Sequence, residues 1–516
     1  MTKHLMVKAG AGTGKTFCVT EGVHRMVGSP RKIVGSEEQQ AVWDVMCSDP
    51  YPGNIHMTSF TNDASEQLAF KGPLNALGKP AASSSSTYGM GLHVAKTCGQ
   101  AGVIDIYGNK YKGLTTEFLG GTKFETKDGL PGVWEAIFET QSKARLALKR
   151  KLGMEEMKEL ADHYGIEVPG GKKDGVPYQD MVLEGVNAVL EAGIEKSWHY
   201  DFGDMVYIPV VTNLISRKKY GTLVVDEAQD LGVAQQELCL RLAWRLILVG
   251  DPRQAIYGFA GADSDSFGRL YRWLDNTQRG IEVLPLNLTR RCSLSVVREA
   301  NRFAPELKAM DGAPEGTVES MAKRDLGQEK IERIVTSYGG KSQFGGDKLM
   351  VICPTNAPLI GMLFRLQKYG VRAYIHGGDL TKSMKLFISK FESIGELRKG
   401  LEEKLSQLWS KKTSKSRDNQ IDIHLALQEV AQSCTTVGAV VSSIDNAFSD
   451  TPRPGWIRLS TIHKAKGLEA DTIIIWEVDK CKSQYSTQPW EFEQDKNLEY
   501  VAITRAKKFL IKVASQ

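Results

Sequence analysis

"LMVKAGAGTGKTF", residues 5 to 17, spells a strand, a tight turn and the start of a helix. Leu5, Met6 and Val7 read as a short buried strand, and Gly10, Gly12 and Gly14 form the turn before a helix that opens near Lys15. Glycine is needed because several backbone N–H groups must converge on one point, which forces angles a side chain would obstruct. Such a loop, here Ala9, Gly10, Ala11, Gly12, Thr13, Gly14, Lys15 and Thr16, cradles a β-phosphate. Lys15 reaches the β/γ-phosphates as a point charge, Thr16 offers a hydroxyl to magnesium, and the helix N-terminus favours the anion. The strict pattern has glycine where Ala9 stands. The competing reading is a glycine-rich turn with no ligand.

The length of 516 residues implies roughly three or four domains. With 41% hydrophobic and 25% charged residues, the composition is that of a globular protein. A net charge of +5 is small for this length, so any basic nucleic-acid track must be local. The cysteines (18, 47, 98, 239, 292, 353, 434 and 481) form no C-x-x-C pair, and no histidine cluster has metal-ligand spacing. This argues for a reducing compartment and against a structural metal. No stretch approaches the roughly 20 apolar residues of a membrane span. The phosphate-loop strand leaves no room for a signal peptide, so a cytoplasmic, nucleoid-associated protein is expected.

Further along, "NIHMTSF" is a strand ending in the polar turn "TNDAS". Residues 98–196 change texture: "KARLALKRKLGMEEMKELADHYG" reads as one charged amphipathic helix and "VPGGKKDGVP" as a basic loop, together an inserted subdomain. Core text returns with "TLVVDEAQD" and "RLILVGDPRQ", strands close enough in sequence to imply a parallel α/β sheet whose acidic residues fall at the strand ends, where ligands bind. A second alternation ("KLMVICPTN", "VRAYIHGGD", "WIRLSTIHKAKG", "DTIIIWEVD", "KFLIKVA") predicts a second such domain, interrupted by a helical stretch at about 381–450. The expected division is 1–97 with 197–285, an insert 98–196, 286–380 with 451–516, and a short insert 381–450. The basic groups Lys149, Arg150, Lys151 and Lys411, Lys412, Lys415, Arg417 read first as a solvated helix and loop, with phosphate contact as the alternative.

The cradle needs a partner strand ending in carboxylates, and "LVVDEAQD" supplies one. Asp226 is placed to hold magnesium through water, and Glu227 to polarise the attacking water as general base.

Taken in order, "AGAGTGKT", "SFTNDAS", "DEAQD", "GDPRQAIYGFAGAD", "STIHKAKGLE" and "YVAITRAK" resemble the motif set of the UvrD/Rep family of superfamily 1 DNA helicases, from Ala9 to Lys507. The resemblance implies an α/β fold of two RecA-like parallel-sheet domains with two mainly helical inserts. It also implies ATP and Mg2+ between those domains and 3′ to 5′ movement on single-stranded DNA, with tailed duplex as a substrate. It assigns Arg291 and Arg505 to the γ-phosphate and Gln254 to sensing it. Phe60 (with Thr61 and Asn62 beside it), Tyr257 and Phe259 fall at the base-stacking positions, Thr461 and His463 at backbone contacts, and Glu469 at the ribose. "HYDFGDM", with Asp201, Phe202 and Asp204, also resembles a family segment and is read as structural.

The pattern departs in places. Gln39, in "SEEQQAVW", either reads the adenine edge from a rearranged position or belongs to a helix start capped by Ser36, and both stay open. Arg290 stands where the family has an adenine-stacking tyrosine; a guanidinium plane also stacks on a base. Asp63, Gly89 and Ala260 replace residues that contact DNA in the family. The short 381–450 insert separates motor activity from unwinding. Two motor hypotheses follow, a helicase and a translocase that strips proteins or works with a protein partner. A nuclease lacks its D…E-x-K spacing, and a nucleotide switch has no need of Glu227 and two arginines.

Overall fold

A computed structural model describes residues 2–49, 52–75, 78–100, 102–105, 108–120, 132–258, 265–325, 348–368, 371–377, 379–410, 415–449, 451, 453 and 455–515. Phe259, Ala260, Lys411 and Lys412 lie outside them. The chain divides into two units, Met1–Ala9 with Gly14–Leu286, and Gly10–Thr13 with Asn287–Gln516.

In the first unit, β1 (His4–Ala9) is joined by β2 (Ile55–Ser59), β3 (Ser83–Ser86), β4 (Tyr220–Val225), β5 (Ala243–Gly250) and β6 (Ile281–Leu286). Their spatial order is β6-β1-β5-β4-β2-β3, and every pairing is parallel. The central strands are apolar at successive positions because both faces are covered. Leu5, Val7, Val224, Ile247 and Val249 pack against Cys18, Val19, Val42, Trp43 and Met46 of the helices Lys15–Met26 and Glu37–Met46. Met6, Leu223, Val225, Leu246 and Leu248 turn the other way, onto Leu238, Leu242, Leu270 and Leu274 of the helices Val233–Leu242 and Ser266–Asp275.

Between β3 and β4 a helical portion has its own core, in which Tyr111, Leu114, Ile137, Val182, Val186 and Leu190 pack together. The single helix expected across residues 143–165 is two, Val133–Leu146 and Met154–Tyr164. Leu148 takes a left-handed turn (φ 57°) and Lys149 N–H closes back on the Ala144 carbonyl at 2.8 Å. The Asn187 side chain then clamps both backbone groups of Leu152, at 2.8 and 3.0 Å. Lys149, Arg150 and Lys151 therefore sit in a helix break, and Lys149 pairs with Glu156 at 2.6 Å. The "KKDGVP" text is a hairpin, Lys172–Lys173 with Val176–Pro177, turned by Asp174 (φ 51°) and Gly175 (φ 85°), as an Asp-Gly pair favours.

The second unit is built on β7 (Thr317–Ala322), β8 (Leu349–Cys353), β9 (Ala373–His376), β10 (Phe448–Ser449), β11 (Ile457–Thr461), β12 (Ala470–Trp476) and β13 (Ala506–Ala514). These run parallel in the order β7-β13-β12-β8-β11-β9-β10. The helices Ile394–Trp409, Lys415–Ser433 and Val437–Ala447 bury Leu397, Leu401, Leu427, Val430, Val440 and Ile444 in the same core as Leu349, Val351 and Leu459 of the sheet.

Candidate active site

Ligand positions in an open parallel sheet collect at the carboxyl ends of the strands. β1 runs into the phosphate loop, where Gly12 (φ 71°) and Gly14 (φ 81°) adopt the left-handed conformation that favours glycine. Thr13 Oγ1 donates to the Gly10 carbonyl at 3.0 Å. Gly14 caps the helix that starts at Lys15, and that lysine is buried. This backbone fits a phosphate, since unobstructed N–H groups and a helix N-terminus meet at one place.

From the same helix the Thr16 hydroxyl donates to Asp226 Oδ2 at 2.7 Å, and Asp226 N–H, just past the end of β4, donates to the Thr58 carbonyl at 2.9 Å. Burial, reinforced by the Glu227 charge, raises the Asp226 carboxyl above its ordinary value, while Thr16 and Lys15 pull it back. A hydroxyl and a carboxylate so paired fit a hard divalent cation that takes its remaining ligands from phosphates and water. Glu227 is half-buried, with a left-handed backbone (φ 54°).

At the end of β5, Asp251 is fully buried and its Oδ2 accepts from Gln254 Nε2 at 2.9 Å. Three residues on, the Tyr257 ring stacks on Phe60, which follows β2, with centroids 5.6 Å apart and planes 22° off parallel. The line continues edge-on from Phe60 to Tyr88 (6.2 Å) and from Tyr88 to Phe202 (6.4 Å). Phe202 is 53% exposed. Sequence reasoning kept "HYDFGDM" as structural, and its two acids are: Asp204 receives Lys110 at 2.6 Å and Arg145 at 3.1 Å, while Asp201 receives Arg145 at 2.7 Å. Tyr88 and Phe202 add two rings that the motif pattern did not assign to stacking.

Other predicted residues are otherwise engaged. Thr61 caps the helix Asn62–Lys71, its hydroxyl accepting from Ala64 N–H at 3.2 Å, and Asn62 and Asp63 are exposed on that helix's first turn. Gly89 lies in the first turn of the helix Thr87–Thr97, donating to Ser86 Oγ at 3.2 Å. Gln39 completes a capping box with Ser36, and its Nε2 lies 3.5 Å from where a Cβ on Gly14 would sit. The cap is thus real, and the same amide also reaches the phosphate loop.

Within the second unit Arg291 Nε lies 2.5 Å from Glu469 Oε2 and its Nη1 donates to the Thr504 carbonyl at 3.1 Å. Lys507 holds the other Glu469 oxygen at 2.9 Å. Burial pushes the Glu469 carboxyl up, but Arg291 and Lys507 outweigh it and leave it below its ordinary value. Arg505 is buried, with Nε on the Val501 carbonyl at 3.0 Å, whereas Arg290 is exposed. Thr461 ends β11 and accepts from Lys464 N–H at 3.3 Å, and His463 is half-buried beside it.

A glycine-turned phosphate loop on an all-parallel sheet, with a threonine and a strand-end aspartate in contact, defines a P-loop nucleotide-binding protein. Residues 178–273 match the UvrD/REP helicase N-terminal domain, and residues 364–516 match the UvrD-like helicase C-terminal domain. Both units thus carry a segment similar to the UvrD/Rep-like superfamily 1 helicases. The chain is similar to F-box DNA helicase 1 of Gallus gallus (24% identical over 319 residues, 57% of this chain and 29% of that protein). It is also similar to F-box DNA helicase protein 1 of Schizosaccharomyces pombe (25% over 317 residues, 57% and 34%). The chain thus spans about a third of the length of these curated relatives. Among the described residues no helix is long and apolar enough to cross a membrane.

Proposed function

We propose that the protein is an ATP-dependent DNA helicase whose motor moves 3′ to 5′ along single-stranded DNA, in replication, repair or recombination. What carries this reading is one alignment: Lys15 and Thr16 after β1, Glu227 after β4, Gln254 and Tyr257 after β5, and Phe60 after β2 all lie beyond carboxyl ends of strands in one sheet. Phosphate chemistry and base stacking therefore share an edge of a rigid element.

Lys15 and the loop N–H groups bind and orient the phosphates, so that attack is in line. Magnesium, held by Thr16 and Asp226, would neutralise charge on the transferred group. Glu227 accepts the proton of the attacking water. Arg291 and Arg505 are the cations assigned to the γ-phosphate, and Arg291 must exchange its Glu469 partner to serve there. Phe60, Tyr257, Tyr88 and Phe202 give flat faces for successive bases, a mode of binding indifferent to sequence.

A second reading, a translocase that strips proteins or needs a protein partner to unwind, is favoured by the 394–447 helices. Most of their buried side chains join the sheet's core, beside one small cluster of their own, Leu405, Leu408 and Ile421. Strand separation on duplexes with a 3′ tail, a 5′ tail or none, with Glu227→Gln as the inactive control, decides. Opening of the 3′-tailed duplex alone is expected; no opening by folded, ATP-hydrolysing protein leaves the translocase, and opening from the 5′ tail overturns the polarity.

A further inference from the structure

Glu227 has a left-handed backbone, a conformation that costs a non-glycine residue free energy and persists only where its surroundings over-determine it. The Glu227 N–H donates to Asp226 Oδ1 at 3.0 Å and its carbonyl accepts the Asp230 N–H at 3.0 Å, while Gln229 holds the side chain. Gln229 Nε2 donates to Glu227 Oε2 at 2.7 Å and to Asp230 Oδ2 at 3.3 Å, and its Oε1 accepts the Asp251 N–H at 3.0 Å. The amide has a single workable orientation, because a backbone N–H only donates and an ionised carboxylate only accepts. Gln229 is 1% exposed, so its amide is withdrawn from bulk water. Its approach depends on Gly250, where a Cβ would overlap Oε1. Asp251 in turn holds Gln254 through its own carboxylate.

We propose that Gln229 is a positioning residue for ATP hydrolysis, fixing the Glu227 carboxylate and tying it to the end of β5 that carries Gln254. This rests on the hydrolytic function proposed above. Gln229 touches neither water nor phosphate in that scheme; it sets the direction of the carboxylate that does. Its amide suits the task better than an acid would, since it donates to the two carboxylates where an ionised acid could only accept.

The test uses the full chain, ATP and an oligothymidylate, with kcat and KM measured from pH 5.5 to 9. Gln229→Met keeps the volume and removes the hydrogen bonds; it should lower kcat about 10- to 100-fold, part of what a general base contributes, with KM for ATP within about twofold. Gln229→Glu keeps the shape but replaces the donating amide with an acceptor, and should lower kcat at least as much, again with little change in KM for ATP. Gly250→Ala, which displaces the same amide without altering it, should reproduce the kcat loss. If Gln229→Met does not stay folded, Gln229→Glu decides, with its urea midpoint showing whether the kcat loss occurs in folded protein. Wild-type kcat in folded Gln229→Met or Gln229→Glu overturns the proposal while the hydrolytic reading stands. Wild-type protein without ATP hydrolysis overturns that reading itself.

Discussion

Phe202→Ala isolates base stacking from folding. The ring is 53% exposed and meets the aromatic line through the edge of Tyr88, so its removal opens no core cavity. Stacking contributes about 1 to 3 kcal/mol per base. At 1.4 kcal/mol per decade, the variant should bind an oligothymidylate roughly 5- to 150-fold more weakly. The flanking Asp201 and Asp204 remain in their ion pairs, so the urea midpoint should match wild type. Stacking carries no counterion release, so the slope of log affinity against log salt should also be unchanged, whereas loss of a phosphate-bound lysine flattens it. Fluorescence anisotropy with a labelled oligomer, titrated at three salt concentrations, reads both quantities. Undiminished affinity, or a loss that disappears at high salt, would refute the stacking role.

The buried charge cluster behind Phe202 should be costly to break: Lys110→Met leaves Asp204 with Arg145 as its cation, beside the Tyr111 hydroxyl, and should destabilise the protein by about 3 kcal/mol, read as a lowered urea midpoint. An unchanged midpoint would show that burial, which lowers the Lys110 ammonium and raises the Asp204 carboxyl, already cancels the pair. Burial, with nearby cations, also lowers both His4 and His56 to about 4. Their folded values lie below the ordinary 6.5, so their contribution is full above pH 6.5 and is lost as pH falls toward 4. For His56 this corresponds to roughly 3 kcal/mol. The urea midpoint should therefore fall between pH 7 and 4.5, less steeply in His56→Gln; a flat midpoint would count against neutral histidines at these sites.

The parts legible in the sequence are those where backbone geometry and chemistry need the same residues. The phosphate loop shows because only glycine turns there, and β4 and β12 show because strands covered on both faces are continuously apolar. What stayed hidden depends on neighbours. Ser83–Ser86 reads as a polar run, yet it is an edge strand paired with β2, and the His56 ring lies 2.6 and 2.9 Å from the Ser83 and Ser85 hydroxyls. β6 carries Pro285, which an edge strand tolerates because only β1 pairs with it. The segment after the helix break is held at Leu152 by Asn187, distant in sequence. Gln229 sits in the quoted "DEAQD" beside two of its partners, but the Asp251 N–H and the space left by Gly250 come from the end of the next strand. The Asp-Gly turn at 174–175 was readable, and the charge of its surroundings hid it.

The most direct test of a DNA-driven ATPase is the hydrolysis rate with and without single-stranded DNA, in wild type and in Lys15→Ala. The account predicts strong stimulation by the strand and loss of hydrolysis in the variant; a rate indifferent to DNA, or one that survives Lys15→Ala, would contradict it.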